Sequence, residues 1–298
     1  MSDSKESSNV NRQSSNIRLI ECPRDAMQGI HDFISTEKKV AYINSILKCG
    51  FDTVDFGSFV SPKAIPQMRD TAQVLEQLEL SNTKSKLLAI VANTRGAEDA
   101  VEFEEISYLG FPFSISETFQ QRNTNSSISE SITRVEEIND LCVRNKKELV
   151  VYISMAFGNP YGDEWSSNVA ISWTKRLAQM GIKIIALSDT IGVSNPDNIK
   201  TLFSKLIPEF PGVEIGAHLH TTPTTWEEKV HAAYSAGCKR FDSAIKGYGG
   251  CPMATDKLTG NMPTENLISY FKKNNIKTGI DDNAFNAAMQ LSGNTFPL

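Results

Sequence analysis

From residue 17 onward, short β-rich runs alternate with longer stretches whose apolar residues recur at helical spacing. That alternation is expected of βα units building a parallel sheet. Eight runs read as strands: IRLIEC (17–22), FDTVDFG (51–57), KLLAIVA (86–92), EISYLGFPFSI (105–115), LVVYISMAF (149–157), KIIALSD (183–189), VEIGAHL (213–219) and KRFDSAI (239–245). STEKKVAYINSILKCG (35–50), SISESITRVEEINDLC (127–142), NPDNIKTLFSKLI (195–207) and ENLISYFKKN (265–274) read as helices. Ser35 is placed to cap the first of these, its hydroxyl accepting an otherwise unpaired N–H, and Gly50 follows that helix's end. Eight strands, each followed by a helix, predict a (β/α)8 barrel; a doubly wound sheet would use fewer strands and carry a switch point. Residues 1–16 are rich in Ser and Asn and lack hydrophobic periodicity, so they cannot offset the entropy of ordering and are expected to form a tail. Residues 17–298 are expected to form one barrel domain.

A barrel of this kind places its chemistry at the C-terminal ends of its strands. Arg24 and Asp25 follow the first run, Asp55 ends the second, Asn159 follows the fifth and Asp189 ends the sixth. His218 and His220 end the seventh, and Cys251 and Asn261 follow the eighth. Two histidines one residue apart on a strand point to the same side, so both imidazoles can reach one ion. Strand one neighbours strand eight in a closed barrel, which brings Asp25 within reach of that pair. A carboxylate, two imidazoles and the Asn261 amide suit Mg2+ or Mn2+, with Zn2+ as an alternative. Arg24 offers a fixed guanidinium for an oxyanion or enolate, and Gln28 and Asn159 are candidate substrate contacts. Asp55, Asp189 and Glu265 suit either support of the site or ordinary structural hydrogen bonding. Cys251 lies in GYGGCP, where glycines permit the excursions of a loop that closes over substrate, and a thiol there can act as acid or base. Cys251→Ala is expected to cut turnover about a hundredfold, the range for a positioned proton donor, as measured by steady-state rates.

Composition narrows the function classes. A formal net charge of −5, with no stripe of Lys and Arg, argues against a nucleic-acid surface. No apolar stretch reaches the length of a membrane span, and the N-terminus has no hydrophobic block behind a charged start, so a cytoplasmic location is expected. The five cysteines are scattered without CxxC spacing and read as reduced thiols.

Taken together, PRDAMQ, SFVSPKAIPQM, FGNPYG, SDTIGVSNP, GAHLH, GYGGCP and GNMPTE resemble the 3-hydroxy-3-methylglutaryl-CoA lyases. These belong to the metal-dependent lyase barrels that also include isopropylmalate and homocitrate synthases. The resemblance runs from about residue 17 to residue 280. It implies a retro-Claisen cleavage of hydroxymethylglutaryl-CoA to acetyl-CoA and acetoacetate, a role in leucine degradation, and a homodimer. By the family's pattern Asp25, His218, His220 and Asn261 match metal ligands, Arg24 the enolate-steadying arginine, and Cys251 the proton-handling cysteine. Asp55, Asp189 and Glu265 match acidic residues around the site, and Gln28 a nearby polar contact. Asp55 stands where the family has glutamate, Thr221 where aspartate is usual, Asn159 where cysteine is usual and Cys22 where glycine is usual. The segment from Cys251 to Asn261 is one residue longer than the family's loop. A condensing synthase acting on acetyl-CoA and a 2-oxo acid is the rival enzyme; the chain's short C-terminal extent favours the lyase. A barrel that binds a CoA ester without turnover is the non-enzymatic rival.

Overall fold

Eight parallel strands close on themselves in the computed structural model, which describes residues 17–250 and 259–296. They are β1 (Arg18–Glu21), β2 (Thr53–Ser58), β3 (Lys86–Ile90), β4 (Ile106–Ser114), β5 (Glu148–Ser154), β6 (Ile184–Asp189), β7 (Glu214–Thr221) and β8 (Arg240–Ser243). Each pairs with its sequence neighbours, and β8 pairs with β1 to complete the ring. This is the (β/α)8 barrel expected from the sequence. Strands covered on both faces must be apolar along their length, which is why ELVVYIS and IIALSD are buried throughout apart from Glu148.

The expected helices form at Thr36–Leu47, Ile128–Arg144, Pro196–Glu209 and Thr264–Lys273. Ser35 caps the first by accepting from the Lys38 amide, and Ser127 and Glu130 form a reciprocal capping box on the second. A further helix, Asp282–Thr295, packs against Thr36–Leu47, and just beyond its end the Phe296 ring meets Tyr42 at 5.4 Å. The apolar layer between strands and helices includes Ile43, Phe111, Leu202 and Phe241. No helix of the described residues is long and apolar enough to cross a membrane.

The barrel interior is divided. On the β3 to β6 side it is apolar, filled by Leu88, Tyr108, Val150, Tyr152, Ile184 and Ala186. Across from them, β7 and β8 contribute Glu214, Arg240 and Asp242, an unusual cargo for a buried lumen. A two-residue strand, β9 (Gly260–Asn261), runs antiparallel to β7 at the C-terminal mouth and sets Asn261 opposite His220.

At the end of β1, Glu21 is wholly buried and accepts from the Ile245 amide (2.8 Å). Its other oxygen lies 2.6 Å from the Thr264 hydroxyl, which also lies 3.0 Å from Ser243 Oγ. Thr264 has one proton for two oxygens, so a protonated Glu21 that donates to Thr264 satisfies the whole chain. Burial pushes this carboxyl up to about 8. Between the ordinary carboxylate range and about 8 the folded protein binds one proton more than the unfolded chain. Glu21 therefore contributes stability that is complete at acid pH and lost as pH rises through that window. Glu21→Gln keeps both hydrogen bonds, and melting temperatures measured from about pH 5 to about 9 are expected to fall less steeply with pH than in the parent.

Candidate metal centre and active-site cavity

Period-two geometry at the end of β7 turns His218 and His220 to the same side, their ring centroids 5.5 Å apart. Asp25 stands in the short helix Pro23–Gln28 that follows β1. One donor atom each from Asp25, His218 and His220 lies within 4.8 Å of the others. Asn261 joins them: its Nδ2 donates to Asp25 Oδ2 (2.6 Å) and to the Tyr248 carbonyl (2.8 Å), leaving its Oδ1 as the oxygen an ion would use. The close approach depends on Gly249, at φ +91°, where a Cβ would sit 2.6 Å from the Asp25 carbonyl and 2.8 Å from Asn261 Nδ2.

Electrostatics prepare the donors. Asp25 is held below the usual carboxylate range, because burial, which would raise it, is outweighed by Arg24, by His218 and by the Asn261 hydrogen bond. Burial, with His218 alongside, lowers His220 to about 4, so it is a neutral imidazole. Its buried Nδ1 has no hydrogen-bond partner among the described residues, which leaves a nitrogen uncommitted as a ligand requires. For His218 burial works downward, yet the Asp242 hydrogen bond and charge carry it up. That bond, Nδ1 to Oδ2 at 3.1 Å, leaves Nε2 to face the cluster. Oxygen and nitrogen donors on a shared point, with a carboxylate behind one imidazole, fit a divalent cation.

Beside the cluster, Arg24 is clamped in a fixed plane. Its Nε and Nη2 meet Asp55 (3.1 and 2.5 Å), and Nη1 meets Asp25 Oδ1 (3.0 Å) and Gln28 Oε1 (2.9 Å). Of the five N–H groups of a guanidinium, these bonds engage four and leave one on Nη2. Burial raises Asp55 to about 6 even against the pull of Arg24. Arg24, Asp25, Gln28, His218 and His220 all line a cavity of about 460 Å³ that extends past Ile90 and Phe119 to Arg122.

Three other sequence candidates lie apart from the cavity lining. Asn159 donates to the Asp163 carbonyl and accepts from the Tyr161 and Asp163 amides, so its side chain stitches its own loop. Glu265 accepts from the Lys246 amide (3.0 Å). Asp189 binds Ser194 and the buried ammonium of Lys229 (2.7 Å). Cys251 lies outside the described residues.

Asp242 and Lys229 escaped the sequence reading, since a charge inside a strand or helix pattern reads as solvent-facing. The ammonium of Lys229 spends all three protons on Asp189, the Gly192 carbonyl (3.1 Å) and the His220 carbonyl (2.9 Å), tying the backbone of a candidate ligand to the β6 loop. Lys229→Met would leave Asp189 buried and uncompensated. The expected loss is about 3–5 kcal/mol of stability, read from denaturant midpoints.

Barrels carry their chemistry at this end of the strands, so fold and cluster together define a (β/α)8 barrel of the enzyme type, with a group at its mouth that could hold a metal ion. The chain belongs to the HMGL-like family, whose profile matches residues 17–291. It is 33% identical over 258 residues to hydroxymethylglutaryl-CoA lyase YngG of Bacillus subtilis, covering 87% of this chain and 85% of that one. It is also 33% identical over 273 residues to the 3-hydroxy-3-isohexenylglutaryl-CoA/hydroxy-methylglutaryl-CoA lyase of Pseudomonas aeruginosa, covering 90% and 89%. A solved HMG-CoA lyase from Acinetobacter baumannii, in complex with coenzyme A and 3-methylmalate, superposes with a TM-score of 0.85 at 31% identity over 93% of this chain and 88% of that one.

Proposed function

We propose that this chain is a divalent-cation-dependent carbon–carbon lyase that cleaves (S)-3-hydroxy-3-methylglutaryl-CoA to acetyl-CoA and acetoacetate. The observation that carries the reading is the convergence of Asp25, His218 and His220 on one point, next to a clamped Arg24 opening on the cavity. The names of the relatives and the coenzyme A held by the Acinetobacter structure support the substrate class.

In the reaction the C3 hydroxyl loses its proton and becomes a ketone as the C2–C3 bond breaks. The bonding electrons pass to the thioester enolate, which takes a proton at C2. Bound at Asp25, His218, His220 and Asn261, a divalent cation, Mg2+ or Mn2+ by its donors, would supply Lewis acidity that eases loss of the hydroxyl proton. Arg24 keeps one N–H for the enolate oxygen, and its plane is fixed by Asp55, Asp25 and Gln28 before substrate arrives. Ile90 and Phe119 give the cavity an apolar wall that excludes water from the carbanion. Delivery of the C2 proton is assigned to Cys251. A place in leucine degradation, residence in the cytoplasm and pairing of two subunits belong to the same proposal and are what the resemblance to the lyases implies.

The test supplies hydroxymethylglutaryl-CoA with Mg2+ or Mn2+ and follows acetoacetate; acetyl-CoA with 2-oxo acids is run in parallel and free CoA followed. Acetoacetate in the first and none of the second product is expected. Free CoA without acetoacetate would assign the chain to condensation instead.

A further inference from the structure

Beneath the cation site the lumen holds a column of alternating charge. At its foot Arg18 Nη1 meets Glu214 Oε2 at 2.6 Å. Arg240 comes next, fully buried, with Nη1 3.8 Å from Glu214 Oε1 and Nε 4.0 Å from Asp242 Oδ1. Asp242 then holds His218 through its other oxygen. The stem of Arg240 lies across Gly216, where a Cβ would fall 2.9 Å from Arg240 Cδ, so the glycine of EIGAHLH makes room for this side chain.

A buried arginine serving structure alone is normally forked onto a carboxylate at hydrogen-bond distance. Arg240 is not. None of its three guanidinium nitrogens, nor Asp242 Oδ1, has a hydrogen-bond partner among the described residues. Tyr152 Oη and Ser188 Oγ are also unpartnered; Ser188 sits opposite His218 in the β6–β7 register, and the Tyr152 ring lies 5.7 Å from that of His218. The guanidinium is thus suspended between two carboxylates, one of which orients a candidate ligand. In a medium of low polarity a charge at this range acts strongly without contact.

Resting on the reading of the cluster as a cation site, we propose that Arg240 is a positioning residue for it, acting on His218 through Asp242. The charge of Arg240 draws Oδ1 of the carboxylate down the lumen. That leaves Oδ2 turned to accept the His218 Nδ1–H, with Nε2 presented to the ion. Carboxylates behind ligating imidazoles commonly set metal affinity in this way. Here the orienting carboxylate is itself oriented, from the opposite end of the barrel.

The experiment titrates Mn2+ calorimetrically into the full-length wild type, Arg240→Met, Arg240→Lys, Asp242→Asn and the Arg240→Met/Asp242→Asn double variant. Asp242→Asn is expected to weaken binding by roughly 10–100-fold, and Arg240→Met by roughly tenfold on the same basis. Arg240→Lys should recover most of the loss, and the double variant should bind no worse than Asp242→Asn. The visible spectrum of the Co2+-loaded protein, which reports ligand geometry, should shift in Arg240→Met and return in Arg240→Lys. If Arg240→Met does not fold, Arg240→Gln is read in its place. A folded neutral variant with wild-type affinity and spectrum, or losses that multiply in the double variant, would overturn the role of Arg240 and leave the cation site standing. Failure of the wild type to bind either ion would instead overturn the site reading beneath it.

Discussion

Asp25→Asn is expected to abolish measurable cation binding and to lower acetoacetate formation about 10³-fold or more. A bound cation contributes several kcal/mol of transition-state charge stabilisation, and each 1.4 kcal/mol or so is tenfold in rate. Asparagine preserves the shape, and its oxygen can still accept from Arg24 Nη1, so the clamp stays close to its present form. What disappears is the negative charge that the two imidazoles and the Asn261 amide surround. Mn2+ titration and steady-state rates should therefore fall together. Binding within tenfold of the parent would show that the three donors do not share an ion.

Arg24→Gln separates the other half of the site. The expected result is a fall in kcat of about 10²–10³ with Mn2+ affinity largely kept, the range for loss of one preorganised donor to an oxyanion. Lysine should not rescue it: an ammonium cannot hold Asp55 through two nitrogens while also reaching Asp25, Gln28 and substrate. Removing the guanidinium also leaves Asp55 buried without its counter-charge, which drives a carboxyl already at about 6 further up. A variant with raised KM and unchanged kcat would assign Arg24 to ground-state binding alone.

The barrel was legible because strands buried on both faces must be apolar from end to end; LVVYIS and KIIAL admit little else. His218 and His220 were legible because period two is unambiguous on a strand, and Asp25 because ring closure puts β1 beside β8. The remaining candidates are of another kind. Asn159 and Asp189 lie near strand ends and Glu265 opens a helix, as expected, yet other partners engage their side chains, and position along an element does not reveal partners. Arg240, Asp242 and Lys229 lay hidden for the converse reason, since charged residues are rarely buried and are read as solvent-facing by default. Gly260–Asn261 is too short for any periodic signal, and its place is dictated wholly by the β7 edge it pairs with.

The hydrogen bond from Asn261 to the Tyr248 carbonyl joins two residues that flank the stretch carrying Cys251. Gly249 and Asn261, on either side of it, are thus planted beside Asp25. Lengthening a closed segment adds closure entropy only logarithmically. An insertion between Tyr248 and Asn261 is therefore expected to cost little in closure entropy, while the bonds from Asn261 to Asp25 and to the Tyr248 carbonyl stay as they are.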